Sequence, residues 1–178
     1  MIKRRVLVAA TGAVLLIGMI VWMGAPERSR ITRVPRIHCA NNLKLIGVAL
    51  QLYASDYEGM FPPDLFPLVE EGYLCSPTRY CCPAHDMYPP KNPPKSRADF
   101  VCDYWYRPGF SESNASINTG IVMDKSGNHT NFGNILFSDG HVEGFSGEKW
   151  YLNASGMDGP PPENRRNPGK RPRLGCGR

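Results

Sequence analysis

The chain has 178 residues, a formal net charge of +5, 17 prolines and 18 glycines. Its basicity sits at the ends: residues 1–36 hold seven Lys/Arg and one acid, residues 37–155 eight and thirteen, and residues 156–178 six and two. An acidic middle of about 120 residues excludes a basic nucleic-acid-binding face and leaves room for one modest core, not two ordinary domains, while the proline and glycine content excludes a plain helical bundle.

Lys3, Arg4 and Arg5 precede an uncharged run from Val6 to Pro26. Eighteen or more apolar residues as a helix span roughly 27–30 Å, enough to cross a bilayer. The basic cluster favours a cytoplasmic amino terminus. The expected layout is a cytoplasmic tip at 1–5, a transmembrane anchor at 6–26, an extracytoplasmic domain at 27–155 and a disordered basic tail at 156–178. A cleaved secretory signal ending at Gly24-Ala25 is the competing reading, set back by the bulky Trp22 and Met23 just before it.

Pro35 is expected to kink or break the chain after the span. Cys39, Leu43, Ile46, Leu50, Tyr53 and Tyr57 then recur at helical spacing, widened by Leu45, Val48, Ala49 and Leu52. Gly59 and Pro62-Pro63 end that helix. Asp64 is placed to cap a short helix over Leu65–Glu71, with Gly72 as its stop. Residues 75–97 are turn-rich. Phe100–Arg107 reads as a strand. Asn134–Phe145 reads as a hairpin about a two-residue Asp139-Gly140 turn with positive φ, and Phe132-Gly133 ahead of it as loop. The fold class is α+β: a long amino-terminal helix, transmembrane then amphipathic, packed on a small antiparallel sheet.

Three segments taken together resemble one family. They are Cys39-Ala40-Asn41-Asn42-Leu43-Lys44-Leu45-Ile46-Gly47 with Tyr53, Gly59 and Phe61-Pro62-Pro63 following; Tyr80-Cys81-Cys82-Pro83-Ala84; and His129, nine residues, then Asp139-Gly140-His141. The pattern resembles bacterial pilin-like proteins with a carboxy-terminal H-x9-DG element, relatives of type II secretion pseudopilins. The resemblance covers roughly residues 6–145. It implies a structural, non-enzymatic role in a type II secretion-like or pilus-like assembly. The site residues it implies are Asn42, Leu43, Lys44, Ile46, Gly47, His129, Asp139 and Gly140. The chain departs from the family at its start. No glycine precedes Val6 for a prepilin peptidase, and no acid lies between Val6 and Gly24. An intramembrane acid is costly unless paired with a neighbour, so its absence weakens the case for cleavage and polymerisation.

The cysteines Cys39, Cys75, Cys81, Cys82 and Cys102 are disulfide candidates in an exported domain, and Cys176 lies in the tail. Spacing does not choose among the pairings. Cys82 with Cys102 would tie the turn-rich loop to the strand, and Cys39 could tie the helix to that loop. A zinc set of Cys75, Cys82, His85 and Cys102 is the sharper alternative, without a clean C-x2-C pair. His129, Asp139 and His141 read as a metal or acid–base cluster, or as turn residues bonding local backbone. Pseudopilins carry a carboxy-terminal calcium site, so Asp124, Asn128 and Asp139 are calcium candidates; no other cofactor is expected.

These readings lead to a single-pass protein of the bacterial inner membrane, amino terminus cytoplasmic, body in the periplasm or cell envelope. Its expected partners are the membrane and other pilin-like subunits or secretion-assembly proteins, with no nucleic acid. The alternatives are a membrane-tethered binding or interaction module and a metal- or thiol-dependent envelope enzyme.

Overall fold

A computed structural model describes residues 27–84 and 92–163, with side chains from Val34 onward. The chain divides into two units, Met1–Val34 and Pro35–Arg178. The predicted span at 6–26 lies outside the described residues. Among those described, no helix is long and apolar enough to cross a membrane.

Helix α1 runs Glu27–Asp56 and contains Pro35, so the expected break does not occur. An interior proline costs about 3 kcal/mol or more, through a lost hydrogen bond and a clash one turn back. The turn that follows it is clamped. The Arg36 carbonyl accepts from Asn134 Nδ2 at 3.2 Å, Arg36 Nη2 donates to the Thr130 carbonyl at 3.2 Å, and the guanidinium lies 4.3 Å from the Phe132 ring centre.

One face of α1 is buried: Cys39, Asn42, Leu43, Ile46, Ala49, Leu50, Tyr53 and Ala54. The stripe is narrower than the sequence suggested. Leu45, Val48, Leu52 and Tyr57 are exposed, because a helix lying on a sheet covers only about a third of its circumference.

The sheet has four strands in the order β1-β2-β3-β4, all neighbours antiparallel. They are β1 Tyr104–Tyr106, β2 Gly120–Asp124, β3 Phe132–Phe137 and β4 Val142–Ser146. Helix α1 covers one face, where Leu43, Ile46 and Leu50 join Tyr104, Val122 and Leu136 in one core. Gly47 allows that approach: a Cβ there would sit 2.8 Å from Leu136 Cδ1. The other face carries a second core in which the 3-10 turn Trp150–Asn153 brings Trp150 onto Met123, Ile135 and Phe137.

Several boundaries differ from expectation, each for a local reason. Strand β2 went unpredicted. Its five residues are all buried, so it shows no apolar–polar alternation. Phe132-Gly133 opens β3 rather than being loop, and position 133 is glycine because the Trp150 indole occupies the space where a Cβ would stand. The strand expected at Phe100–Arg107 shrinks to three residues, preceded by a 3-10 turn at Arg97–Asp99. The short helix, α2, is Pro67–Glu70; Asp64 Oδ1 instead accepts the Phe66 N–H at 2.8 Å, forming a local turn ahead of it.

The hairpin turn has three residues, not two. Phe137 N–H bonds the His141 carbonyl at 2.9 Å and Gly140 N–H bonds the Phe137 carbonyl at 3.0 Å. Gly140 has φ +90°, while Asp139 stays at negative φ. A type I turn followed by a left-handed glycine gives this arrangement, and it moves the strand register by one residue.

The expected tail begins later than Gly156. Met157 is buried against the second core, Ser126 N–H bonds the Pro162 carbonyl at 3.1 Å, and Ser126 Oγ bonds that of Pro161 at 2.8 Å. Composition marked this segment as polar coil, but its few apolar side chains pack. Residues 164–178 lie outside the described residues.

Candidate functional site

A polar centre is buried where α1, the loop ending at Cys82 and the strand ends of β1, β2 and β3 meet. It forms because each of these segments carries one polar side chain among apolar ones. On α1, Asn42 lies on the buried stripe and its Nδ2 donates to the Cys81 carbonyl and the Tyr104 hydroxyl, both at 3.1 Å. Ahead of β1, Asp103 Oδ2 accepts the Cys82 N–H at 2.7 Å. These two contacts pin the irregular Cys81-Cys82 segment between helix and sheet.

Asp124, the last residue of β2, is fully buried. Its Oδ2 accepts the Asn134 N–H and the Asn134 Nδ2, each at 2.8 Å, and its Oδ1 accepts Asn128 Nδ2 at 3.2 Å. All three donors are neutral amides. A further neighbour is His129, whose Nε2 lies 3.7 Å from Oδ2. Burial pushes the Asp124 carboxyl above its usual range, against the opposing pull of His129 and the amide donors.

Two sulfurs stand beside this imidazole. The Cys39 thiol donates to Cys82 Sγ at 3.3 Å, and His129 Nε2 is 4.0 Å from Cys82 Sγ. Cys39 Sγ, Cys82 Sγ and the His129 ring nitrogen all lie within 4.8 Å of one another. The His129 side chain is only 3% exposed, although its backbone sits in an open loop. The hydrogen bond from Cys39 draws the Cys82 thiol down to about 6, with burial opposing and His129 assisting. The Cys39 thiol is pushed far up, first by its role as donor to Cys82 and then by burial. Of the two thiols, Cys82 is therefore the one that gives up its proton more readily.

The expected sets distribute differently. No disulfide joins any two of Cys39, Cys75, Cys81, Cys82 and Cys102. Cys82 meets Cys39, whereas Cys102 Sγ turns to the Tyr104 carbonyl at 3.5 Å. The Cys81 sulfur points the other way from its neighbour, to the Pro77 carbonyl at 3.5 Å. Of the zinc set, Cys75 is exposed while Cys82 is buried, and His85 lies outside the described residues. The calcium trio is not assembled. Asn128 does bond Asp124, but Asp139 is in the β3–β4 turn, near the opposite end of β2, on the order of 13 Å away along the strand.

Asp139 and His141 pair with each other instead, Nδ1 to Oδ1 at 2.5 Å, half-exposed. His129 is not part of that pair. The family-type residues Asn42, Leu43, Ile46 and Gly47 all face the sheet, and Lys44 faces solvent. Gln51 Nε2 reaches the Asp139 carbonyl at 3.3 Å, so the hairpin turn rests on α1. Positions 39, 82 and 129 are too far apart in sequence for any spacing rule to connect them. The only signal was that each is a soft ligand type in a segment otherwise committed to packing.

No known family model, no curated protein and no solved structure matches the chain.

Proposed function

We propose that the chain is a pilin-like structural subunit of the cell envelope, held in the inner membrane by residues 6–26 and belonging to a type II secretion-like or pilus-like assembly. The role is scaffolding, not catalysis. The observation that carries this reading is a second apolar face on α1. Ile37, Leu45, Val48 and Leu52 are 53%, 40%, 54% and 51% exposed. With Asn41 between the first two, they follow one another at spacings of four, four, three and four, the seam of a helix that packs on other helices. A helix already buried on its own sheet has no internal use for a second apolar stripe. Neighbouring subunits laid helix against helix supply one. A tethered interaction module is the second reading, favoured by the missing glycine and acid around Val6.

Changing Val48 and Leu52 together to glutamate tests this. Both are exposed in the single chain, so thermal stability should move by no more than about 0.5 kcal/mol per site. Sedimentation of the detergent-extracted protein should fall from large assemblies to single subunits. Unchanged assemblies would speak against the helix seam.

A further inference from the structure

We propose that Cys39, Cys82 and His129 form a binding site for a soft divalent cation of the zinc class. The inference does not rest on the structural role proposed above. Three side chains from α1, the Cys-rich loop and the β2–β3 loop bring two sulfurs and one imidazole nitrogen within 4.8 Å of one another, away from bulk water. Two thiolates and a neutral imidazole are a donor set that zinc prefers, at about 2.3 Å for sulfur and about 2.0 Å for nitrogen. A tetrahedral ion with those bonds needs its sulfurs about 3.8 Å apart and each sulfur about 3.5 Å from the nitrogen. The sulfurs stand 3.3 Å apart and the Cys82–His129 separation is 4.0 Å, each about half an ångström from those values, and Cys39 Sγ starts within 4.8 Å of the imidazole nitrogen.

Charge points the same way. On binding, both thiols release their protons to solvent, and a 2+ ion with two thiolates is a neutral unit. Asp124 stands outside the trio, its oxygens held by Asn128 and Asn134. The same His129 nitrogen that faces Cys82 Sγ at 4.0 Å lies 3.7 Å from Asp124 Oδ2, so the carboxylate borders the trio without belonging to it. The three protein ligands leave the fourth position of a tetrahedral ion to a non-protein ligand. A disulfide between Cys39 and Cys82 would require an oxidant and would leave His129 Nε2 without a sulfur ligand partner.

The test titrates the full chain, detergent-solubilised and reduced, with cobalt(II) and then zinc. One equivalent of cobalt should bind with sulfur-to-metal charge-transfer absorption and intense visible bands of tetrahedral type, and zinc should displace it. Cys39→Ser and Cys82→Ser should each abolish those bands. His129→Ala should weaken binding by about a hundredfold or more, while Cys75→Ser and Cys102→Ser leave it unchanged. The wild-type spectrum requires no variant to fold. Absence of cobalt binding by the reduced wild-type chain would overturn the site. So would unchanged binding in Cys39→Ser, or isolation of the native chain with Cys39 and Cys82 already joined, seen as a mass lower by two hydrogens and a linked peptide.

Discussion

Replacing Asp124 with alanine is expected to destabilise the fold by about 3–5 kcal/mol, measured by urea unfolding of the full chain followed by tryptophan fluorescence, with a chelator present so that no ion contributes. The side chain is fully buried and accepts three hydrogen bonds, two at 2.8 Å and one at 3.2 Å. Alanine leaves the Asn134 N–H, the Asn134 amide and the Asn128 amide facing a cavity. Each buried donor without an acceptor costs about 1–3 kcal/mol, partly recovered where the amides find other partners. Asn134 also holds the Arg36 carbonyl, so its release loosens α1 from the sheet at Arg36. Asp124→Asn keeps the volume and one acceptor oxygen but points an amide at amides, and should lose less than alanine. A loss below about 1 kcal/mol for alanine would mean that these bonds form equally well with water.

The second large effect concerns the other face of the sheet. Gly133→Ala should cost about 3 kcal/mol, close to the cost of Trp150→Ala. A methyl at Gly133 would fall inside the Trp150 indole, which is itself 6% exposed and packed on Met123 and Ile135. The ring is rigid, and the strand backbone beneath it is held by pairing with Phe145 of β4, so the indole must leave. Once Trp150 is alanine the methyl has room, and Gly133→Ala should become nearly neutral. The two single costs therefore do not add, and the double variant should be about as stable as Trp150→Ala alone. Additive losses would show that the glycine serves some other purpose.

The sequence carried the outline of this fold because two of its signals are strong. The stripe from Cys39 to Tyr53 and the Asp139-Gly140 turn both rest on local chemistry, and both elements formed. The turn's length was misread because Asp-Gly suits two-residue and three-residue loops alike, and only the pairing of Phe137 with His141 decides between them. Strand β2 was invisible since burial on both faces erases periodicity. Gly133 resembled loop because its reason for being glycine, Trp150, lies seventeen residues later and across the sheet.

The candidate site was less legible still. Cys82 and His129 were each marked, for different reasons, as a disulfide candidate and as part of the H-x9-DG element. Their meeting with Cys39 depends on Asp103 and Asn42 pinning the Cys81-Cys82 segment, contacts that join residues 21 and 39 positions apart. Asp124 was noticed as an oxygen ligand, but its partners turned out to be amides of the next loop and strand. The hairpin carboxylate, Asp139, serves its own turn and His141.

Helix α1 packs on its own sheet with one face, and the proposed assembly puts other subunits on the other. A photo-activated crosslinking residue at Val48, in the full chain and in the cells that make it, tests this most directly. Adducts with a second copy or with other pilin-like subunits are expected, absent when the same residue is placed at Lys149, exposed beyond the opposite face of the sheet. A chain that stays monomeric after irradiation at Val48, with no protein adduct, would contradict it.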